Sequence, residues 1–270
     1  MIILLVALAA GCQSAPPPAD GAQTRIARLA SGRVEYELYL PDSEARAPLV
    51  IVAHGFSRDR FNMRGWAQHL CKQGFAVVLP SAPSWGDHRK NRDAMKQLIA
   101  QLRSESELTD RIETDRLGLV GFSHGGLWTF LAAAETPGVA VWVGLDPVDR
   151  HQMGVAAAPD VHCRIVSLLA EPSRCNVKSN WTAVRYAPQA SSLTLVVNEA
   201  SHADCEAPTD GFAQWACGET DPARHQTFLE YATAALRSDL LNDPDSQRFL
   251  ASADADPRVR RPDGIAASAP

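Results

Sequence analysis

Neither sign of charge dominates this 270-residue chain: 26 Lys and Arg stand against 31 Asp and Glu, for a formal net charge of −5. Without a basic excess there is no broad electrostatic footprint for a nucleic-acid backbone or an acidic membrane surface. The apolar run Met1 to Ala10 falls well short of the roughly 20 residues that a membrane-spanning helix needs. No C-x-x-C and no H-E-x-x-H spacing occurs, so nothing points to zinc, and neither a metal nor a cofactor is expected. The 17 Gly and 18 Pro follow no period, which excludes collagen-like and solenoid repeats. What is present is an ordinary composition, 46% hydrophobic and 21% charged, in a chain long enough to bury one large core.

The apolar start is followed by the small-residue boundary Gly11-Cys12-Gln13-Ser14, the form of a secretory signal over residues 1–11. The run Leu8-Ala9-Ala10-Gly11-Cys12 resembles a bacterial lipobox, and that resemblance implies a lipidated Cys12, a membrane-anchored lipoprotein in the periplasm or at the cell surface, and residues 12–30, with Pro16-Pro17-Pro18, as a tether. An ordinary cleaved signal, giving a secreted or periplasmic protein, and an apolar start with no targeting role are the alternatives. The oligomeric state is left open.

Five cysteines remain, an odd number that in an exported chain implies bridges plus one thiol. Cys163 with Cys175 and Cys205 with Cys217 share one spacing in sequence, and these two pairs are the expected disulfides. Cys71, inside the apolar pattern Trp66 to Cys71, is expected to be a core thiol.

Short apolar runs alternate with helical periodicity, the pattern of βαβ units and of an α/β fold with a mainly parallel, doubly wound sheet. The expected strands are Val34 to Leu40, Leu49 to Ala53, Ala76 to Leu79, Leu117 to Val120, Val139 to Leu145, Arg164 to Leu169 and Leu193 to Val197. The expected helices are Phe61 to Gln73, Arg92 to Glu107, His124 to Glu135 and Pro222 to Ser238, the last opened by Asp221 as N-cap. One domain then occupies residues 31–241, and residues 242–270, rich in Asp, Pro, Ala and Ser, read as a mobile tail.

The segment Leu117 to Gly126 runs from an apolar strand through Gly121-Phe122-Ser123-His124-Gly125 into a helix. That is the setting of a nucleophile elbow: the serine sits on a sharp strand-to-helix turn, and glycines two residues either side avoid collision with neighbouring backbone. On these residues the chain, from about Val34 to Ser238, resembles the α/β-hydrolase superfamily. His54-Gly55-Phe56 after the strand Leu49 to Ala53 is similar to the H-G-x turn of that superfamily. The resemblance implies an oxyanion hole built from the backbone N–H groups of Phe56 and His124, with the His54 ring as a brace.

The superfamily's chain order is nucleophile, acid, histidine, which places the base at His202, in the loop after the strand Leu193 to Val197. His151 and His162 come too early, and His225 falls within a helical pattern. Two carboxylates compete to orient it. Glu171 follows the strand that most of the superfamily uses; Asp146 ends the preceding one, in Gly144-Leu145-Asp146-Pro147-Val148-Asp149. Leu-Asp-Pro-Val-Asp resembles the acid motif of chlorophyllases, and the spacing from Ser123 through Asp146 to His202 resembles that of secreted platelet-activating-factor acetylhydrolases, in the dienelactone hydrolase-related branch. This favours Asp146 and leaves Glu171 as the alternative, with Asp149 read as a solvated turn residue. The chlorophyllase substrate is not carried over, because those enzymes have Arg where this chain has His124.

Only about 16 residues separate Asp146 from Cys163, too few for a large cap. An open cleft suits small or lipid-like esters. Trp85 and Trp215 are candidates for its wall, packing of the loops onto the sheet being the other use of such residues. The expected activity is that of a serine esterase working through an acyl-enzyme. Short-acyl phospholipid or polyester hydrolysis is the alternative within enzymes, and a non-catalytic ligand-binding lipoprotein on a hydrolase scaffold is the alternative outside them.

Overall fold

The structure, a computed structural model, describes residues 23–43, 45–188 and 192–262. The signal segment, Cys12 and most of the expected tether lie outside the described residues. Among the described residues nine strands form one sheet: β1 (Gln23–Leu29), β2 (Gly32–Tyr39), β3 (Ala47–Ala53), β4 (Ala76–Pro80), β5 (Ile112–Phe122), β6 (Val139–Leu145), β7 (Arg164–Leu169), β8 (Ser192–Val197) and β9 (Val259–Arg260). Their order is β1-β2-β4-β3-β5-β6-β7-β8-β9. The central strands β4 to β8 run parallel, while β1, β2 and β9 pair antiparallel at the edges. The helices are α1 (Arg64–Lys72), α2 (His88–Ser104), α3 (Ser106–Thr109), α4 (His124–Glu135), α5 (Met153–Ala157), α6 (Gly211–Cys217), α7 (Pro222–Leu240) and α8 (Pro244–Ala251).

Every residue of β3 is buried, because both faces of the sheet are covered; this is why the parallel strands read as unbroken apolar runs. Alternation along β3 divides them. Leu49, Ile51 and Ala53 join a core with Leu98 and Ile99 of α2 and Leu127 and Phe130 of α4. Val50 and Val52 join a second core with Trp66 and Leu70 of α1 and Phe228 and Leu236 of α7. The nine strands with helices on both faces are the expected α/β-hydrolase architecture, and no large cap follows β6: residues 147–162 hold only α5 and a short turn against α4.

The edges depart from the sequence reading. The domain begins before residue 31, since Gln23 to Leu29 pairs along its length with β2. The segment after residue 242 is not a mobile tail up to residue 262. Asp243 caps α8 through the Asp245 N–H, and Leu250 and Ala253 are buried in the second core. The Phe249 ring packs on Tyr231, and β9 closes the sheet beside β8.

Candidate active site

The sharp turn at Ser123 exists because β5 must give way at once to α4. Ser123 has φ 54° and ψ −122°, a conformation that L residues avoid and that strained functional turns hold. Neighbouring strands fix it: the Ser123 N–H donates to the Leu145 carbonyl at 3.0 Å, and its own carbonyl accepts from Val148 and Gly126 at 3.1 and 3.0 Å. The flanking glycines are obligatory. A Cβ on Gly125 would lie 2.4 Å from the His54 carbonyl oxygen, and one on Gly121 2.5 Å from that of Gly125. The fit that makes the elbow thus also seats α4 against the end of β3.

His202 opens a short 3-10 turn after β8, where Ser201 and Asp204 bond reciprocally to each other's backbone. Its Nδ1–H donates to Asp146 Oδ2 at 2.6 Å, and both side chains are buried. That bond assigns the proton to Nδ1 and leaves Nε2 as the basic nitrogen. The imidazole also packs on Phe122, the residue before Ser123, with ring centroids 4.7 Å apart. Asp146, at φ 42° just beyond β6, is wholly buried and accepts in addition from the Ala170 N–H at 3.1 Å and from Asn176 Nδ2 at 3.0 Å.

Of the two competing acids, then, Asp146 is beside His202 and Glu171 is not. Glu171 is half-exposed and turns outward to Arg260 of β9, bonded at 2.7 and 2.8 Å, and to the Glu199 N–H. Its bond to Arg260 holds its carboxyl below the usual range, with the Glu199 N–H acting in the same direction. Asp149 is not a solvated turn residue: it is buried and accepts from the Gly154 and Val155 N–H groups at the start of α5.

The loop after β3 brings Gly55 and Phe56 to the same place. A Cβ on Gly55 would lie 3.1 Å from that of Ser123. His54 braces this loop: one ring nitrogen donates to the Gly55 carbonyl at 2.9 Å and the other accepts from the Ala82 N–H at 3.0 Å. Burial pulls its pKa below the ordinary value, so it stays a neutral strut. The N–H of His124 is the first of α4 and has no partner within the helix, as for any first turn. The His124 ring contacts those of Phe56 and His88, and burial, with His88 and Arg150 adding to it, lowers its pKa to about 4. Next to it Trp85, 70% exposed, lines a crevice with Phe56, His88, His124 and Trp128. Trp215, 83% exposed, lies instead on α6 against Phe212, outside that crevice.

The disulfide differs from both expected pairs: Cys175 bonds Cys217, and Cys163 and Cys205 are buried thiols. Cys163 precedes β7 and Cys175 follows it, and a six-residue strand separates its ends by about 20 Å, far beyond a disulfide's reach. Cys205 is turned into the core beneath Trp66, whose indole N–H donates to its carbonyl, while Cys217 ends α6 near the surface. The bridge therefore ties the loop after β7 to the segment after His202. Cys71 is half-buried against the second core. Asn176 is the site residue that sequence reasoning missed, an unremarkable amide in a loop. Among the described residues no group of three potential metal ligands is gathered, and no helix is long and apolar enough to cross a membrane.

The doubly wound sheet and the strained strand-to-helix elbow are those of an α/β-hydrolase fold. Residues 9–202 match the model of the PET hydrolase-like family, and the chain belongs to that family. It is 29% identical over 136 residues to a bis(hydroxyethyl) terephthalate hydrolase of Streptomyces coelicolor, a match covering 48% of this chain and 43% of that protein. The chain thus spans less than half the length of that relative. In fold it is similar to the crystal structure of dienelactone hydrolase from Anabaena variabilis, with a TM-score of 0.64, 17% identity, and coverage of 81% of this chain and 99% of the other.

Proposed function

We propose that this chain is a serine hydrolase that cleaves carboxylic esters through a covalent acyl-enzyme. The observation that carries the reading is the buried His202–Asp146 bond beside a serine held at positive φ. In this mechanism His202 Nε2 takes the Ser123 hydroxyl proton as Oγ attacks the ester carbonyl, forming a tetrahedral oxyanion. The N–H groups of Phe56 and His124 receive that oxyanion, aided by the positive end of α4. His202 then delivers the proton to the departing alcohol, leaving an acyl group on Ser123. Water, deprotonated by the same imidazole, releases the acid and restores the serine. Asp146 keeps the proton on Nδ1 and balances the charge on the imidazolium.

For the substrate, the family match and the terephthalate-ester relative support esters of aromatic carboxylic acids, including polyester fragments. The exposed rings of Phe56 and Trp85 beside the crevice suit such a group. Hydrolysis of bis(hydroxyethyl) terephthalate, compared with p-nitrophenyl acetate and a short-acyl phospholipid, tests this reading. Turnover of the terephthalate with little of the phospholipid is expected; a folded protein that hydrolyses none of the three is instead a ligand-binding hydrolase scaffold. The Cys175–Cys217 bridge fits an oxidising compartment and supports export. A lipid anchor on Cys12 completes that proposal, and mass spectrometry of the mature amino terminus tests it.

A further inference from the structure

Asn176 is wholly buried, and every hydrogen-bonding position of its amide is filled. Nδ2 donates to Asp146 Oδ2 at 3.0 Å and to the Glu171 carbonyl at 2.8 Å. Oδ1 accepts from the Ser173 and Ser179 N–H groups at 2.7 and 3.0 Å. Two N–H donors on one side and a carboxylate and carbonyl on the other fix which way the amide points. Asp146 Oδ2 is therefore shared: His202 Nδ1–H approaches it at 2.6 Å and Asn176 from another direction. Among the described residues these are the two side chains hydrogen-bonded to that carboxylate.

The chain that presents Asn176 is strained in an informative way. Val177, Lys178 and Ser179 have φ of 52°, 58° and 55°, three consecutive L residues in the left-handed region, one of them β-branched. The valine is 48% exposed, so burial of its side chain does not compensate the strain. What the turn does achieve is to wrap backbone donors around the Asn176 carbonyl oxygen, with Lys178 N–H closing it on the Ser173 carbonyl at 2.7 Å. The same loop is held from outside by the Cys175–Cys217 bridge, and Glu171, at its start, by Arg260.

We propose that Asn176 is a positioning residue for the Asp146–His202 pair, a proposal that rests on the serine-hydrolase reading above. Its amide stops the Asp146 carboxylate from rotating, so that Oδ2 stays on Nδ1 and Nε2 stays free for the serine proton. Being neutral, it spreads the carboxylate charge without cancelling it. Removing that donor makes Asp146 a stronger base and tightens its hold on the imidazolium, so His202 takes up its proton at higher pH. The other titratable groups in the field of the pair are the Cys205 thiol near Asp146 and the His124 imidazole near His202. Asp204, in the same turn as His202, and Glu206 flank Cys205 and are paired with Arg224 and Arg58, and none of these is altered by changes at Asn176.

The test is to measure kcat and KM for a soluble p-nitrophenyl ester from about pH 5 to pH 9, in the wild type, Asn176→Ala and the isosteric Asn176→Asp, with urea unfolding of each. Expected is a fall in kcat of roughly 10- to 100-fold with KM within about twofold, and an acid limb displaced to higher pH, further in Asn176→Asp than in Asn176→Ala. Folded variants with the kcat and acid limb of the wild type overturn the proposal. So does activity lost only in proportion to folded protein, with the limb unmoved. A folded wild type that neither turns over the ester nor reacts with a serine-directed phosphonate overturns the serine-hydrolase reading itself; an active wild type with indifferent Asn176 variants overturns the positioning role alone.

Discussion

Arg58 grips Glu206 with two bonds, Nε to Oε1 at 2.5 Å and the terminal nitrogen to Oε2 at 2.8 Å, and the pair joins the segment just after His54-Gly55-Phe56 to the segment just after His202. The Glu206 side chain is only 1% exposed and Arg58 15%, and Asp210 and Thr209 complete the cluster. The two loops that carry the candidate oxyanion donor and the candidate base are thus fastened to each other across the cleft.

Because Glu206 is buried, deleting its partner strands a charge. Arg58→Ala is expected to destabilise the fold by about 3 kcal/mol in urea unfolding, and Arg58→Met combined with Glu206→Met by much less. A single mutant as stable as the wild type contradicts the role of the pair as a clasp.

The two carboxylates are expected to separate cleanly by kinetics. Asp146→Asn is expected to cut kcat roughly 10³- to 10⁴-fold, since the amide no longer holds the Nδ1–H tautomer. Glu171→Gln breaks a half-exposed pair with Arg260 and is expected to change kcat by less than about threefold. Steady-state rates on one soluble ester decide between them, and the reverse order moves the acid to the loop after β7.

The Cys175–Cys217 bridge closes 42 residues that include all of β8 and His202. On the loop-entropy view, Cys175→Ser with Cys217→Ser is expected to cost about 2–4 kcal/mol of stability. Calorimetric melting checks it, and an unchanged Tm contradicts it.

Stability is also expected to fall as pH drops from about 6.5 towards 4. Burial lowers the pKa of His54, His69, His88 and His124 in the folded protein, that of His124 to about 4. In this window the unfolded chain binds protons that the folded chain refuses, so unfolding is favoured as pH decreases. The ordinary carboxylates enter only at its lower end, so the slope above about pH 5 reports the imidazoles. Urea midpoints measured through the window check the slope, and His124→Asn is expected to reduce it. A flat profile contradicts neutral, buried imidazoles.

Much of this was legible in the sequence because short-range rules dominate there. The strands β6 and β7 and the helix α4 fall at the expected residues, since parallel strands covered on both faces leave unbroken apolar runs and the elbow glycines mark where the helix begins. His202 and Asp146, which the α/β-hydrolase resemblance paired, are hydrogen-bonded to each other, and the His202 ring packs on Phe122, the residue before Ser123. Long-range pairing was harder to read. Equal cysteine spacing carried no information about which strand end each thiol occupies, and so the pairing differed. The segment after residue 242 had its own helix signal, Asp243-Pro244 ahead of Phe249-Leu250, repeating the Asp221-Pro222 start of α7. Its acidic composition masked that signal, and only contacts with Tyr231 and β8 show why it is ordered. Asn176, in the segment after Glu171, was given no role by sequence, because its contacts come from a turn folded around its amide.

The central claim is that Ser123 is a nucleophile activated by His202. It is tested most directly by reacting the purified protein with a fluorophosphonate and locating the adduct by peptide mass spectrometry. The account predicts one phosphonyl group, on Ser123, formed rapidly in the wild type, absent in Ser123→Ala and slowed by orders of magnitude in His202→Ala. A folded wild type that stays unlabelled, or an adduct on another residue that survives Ser123→Ala, contradicts it.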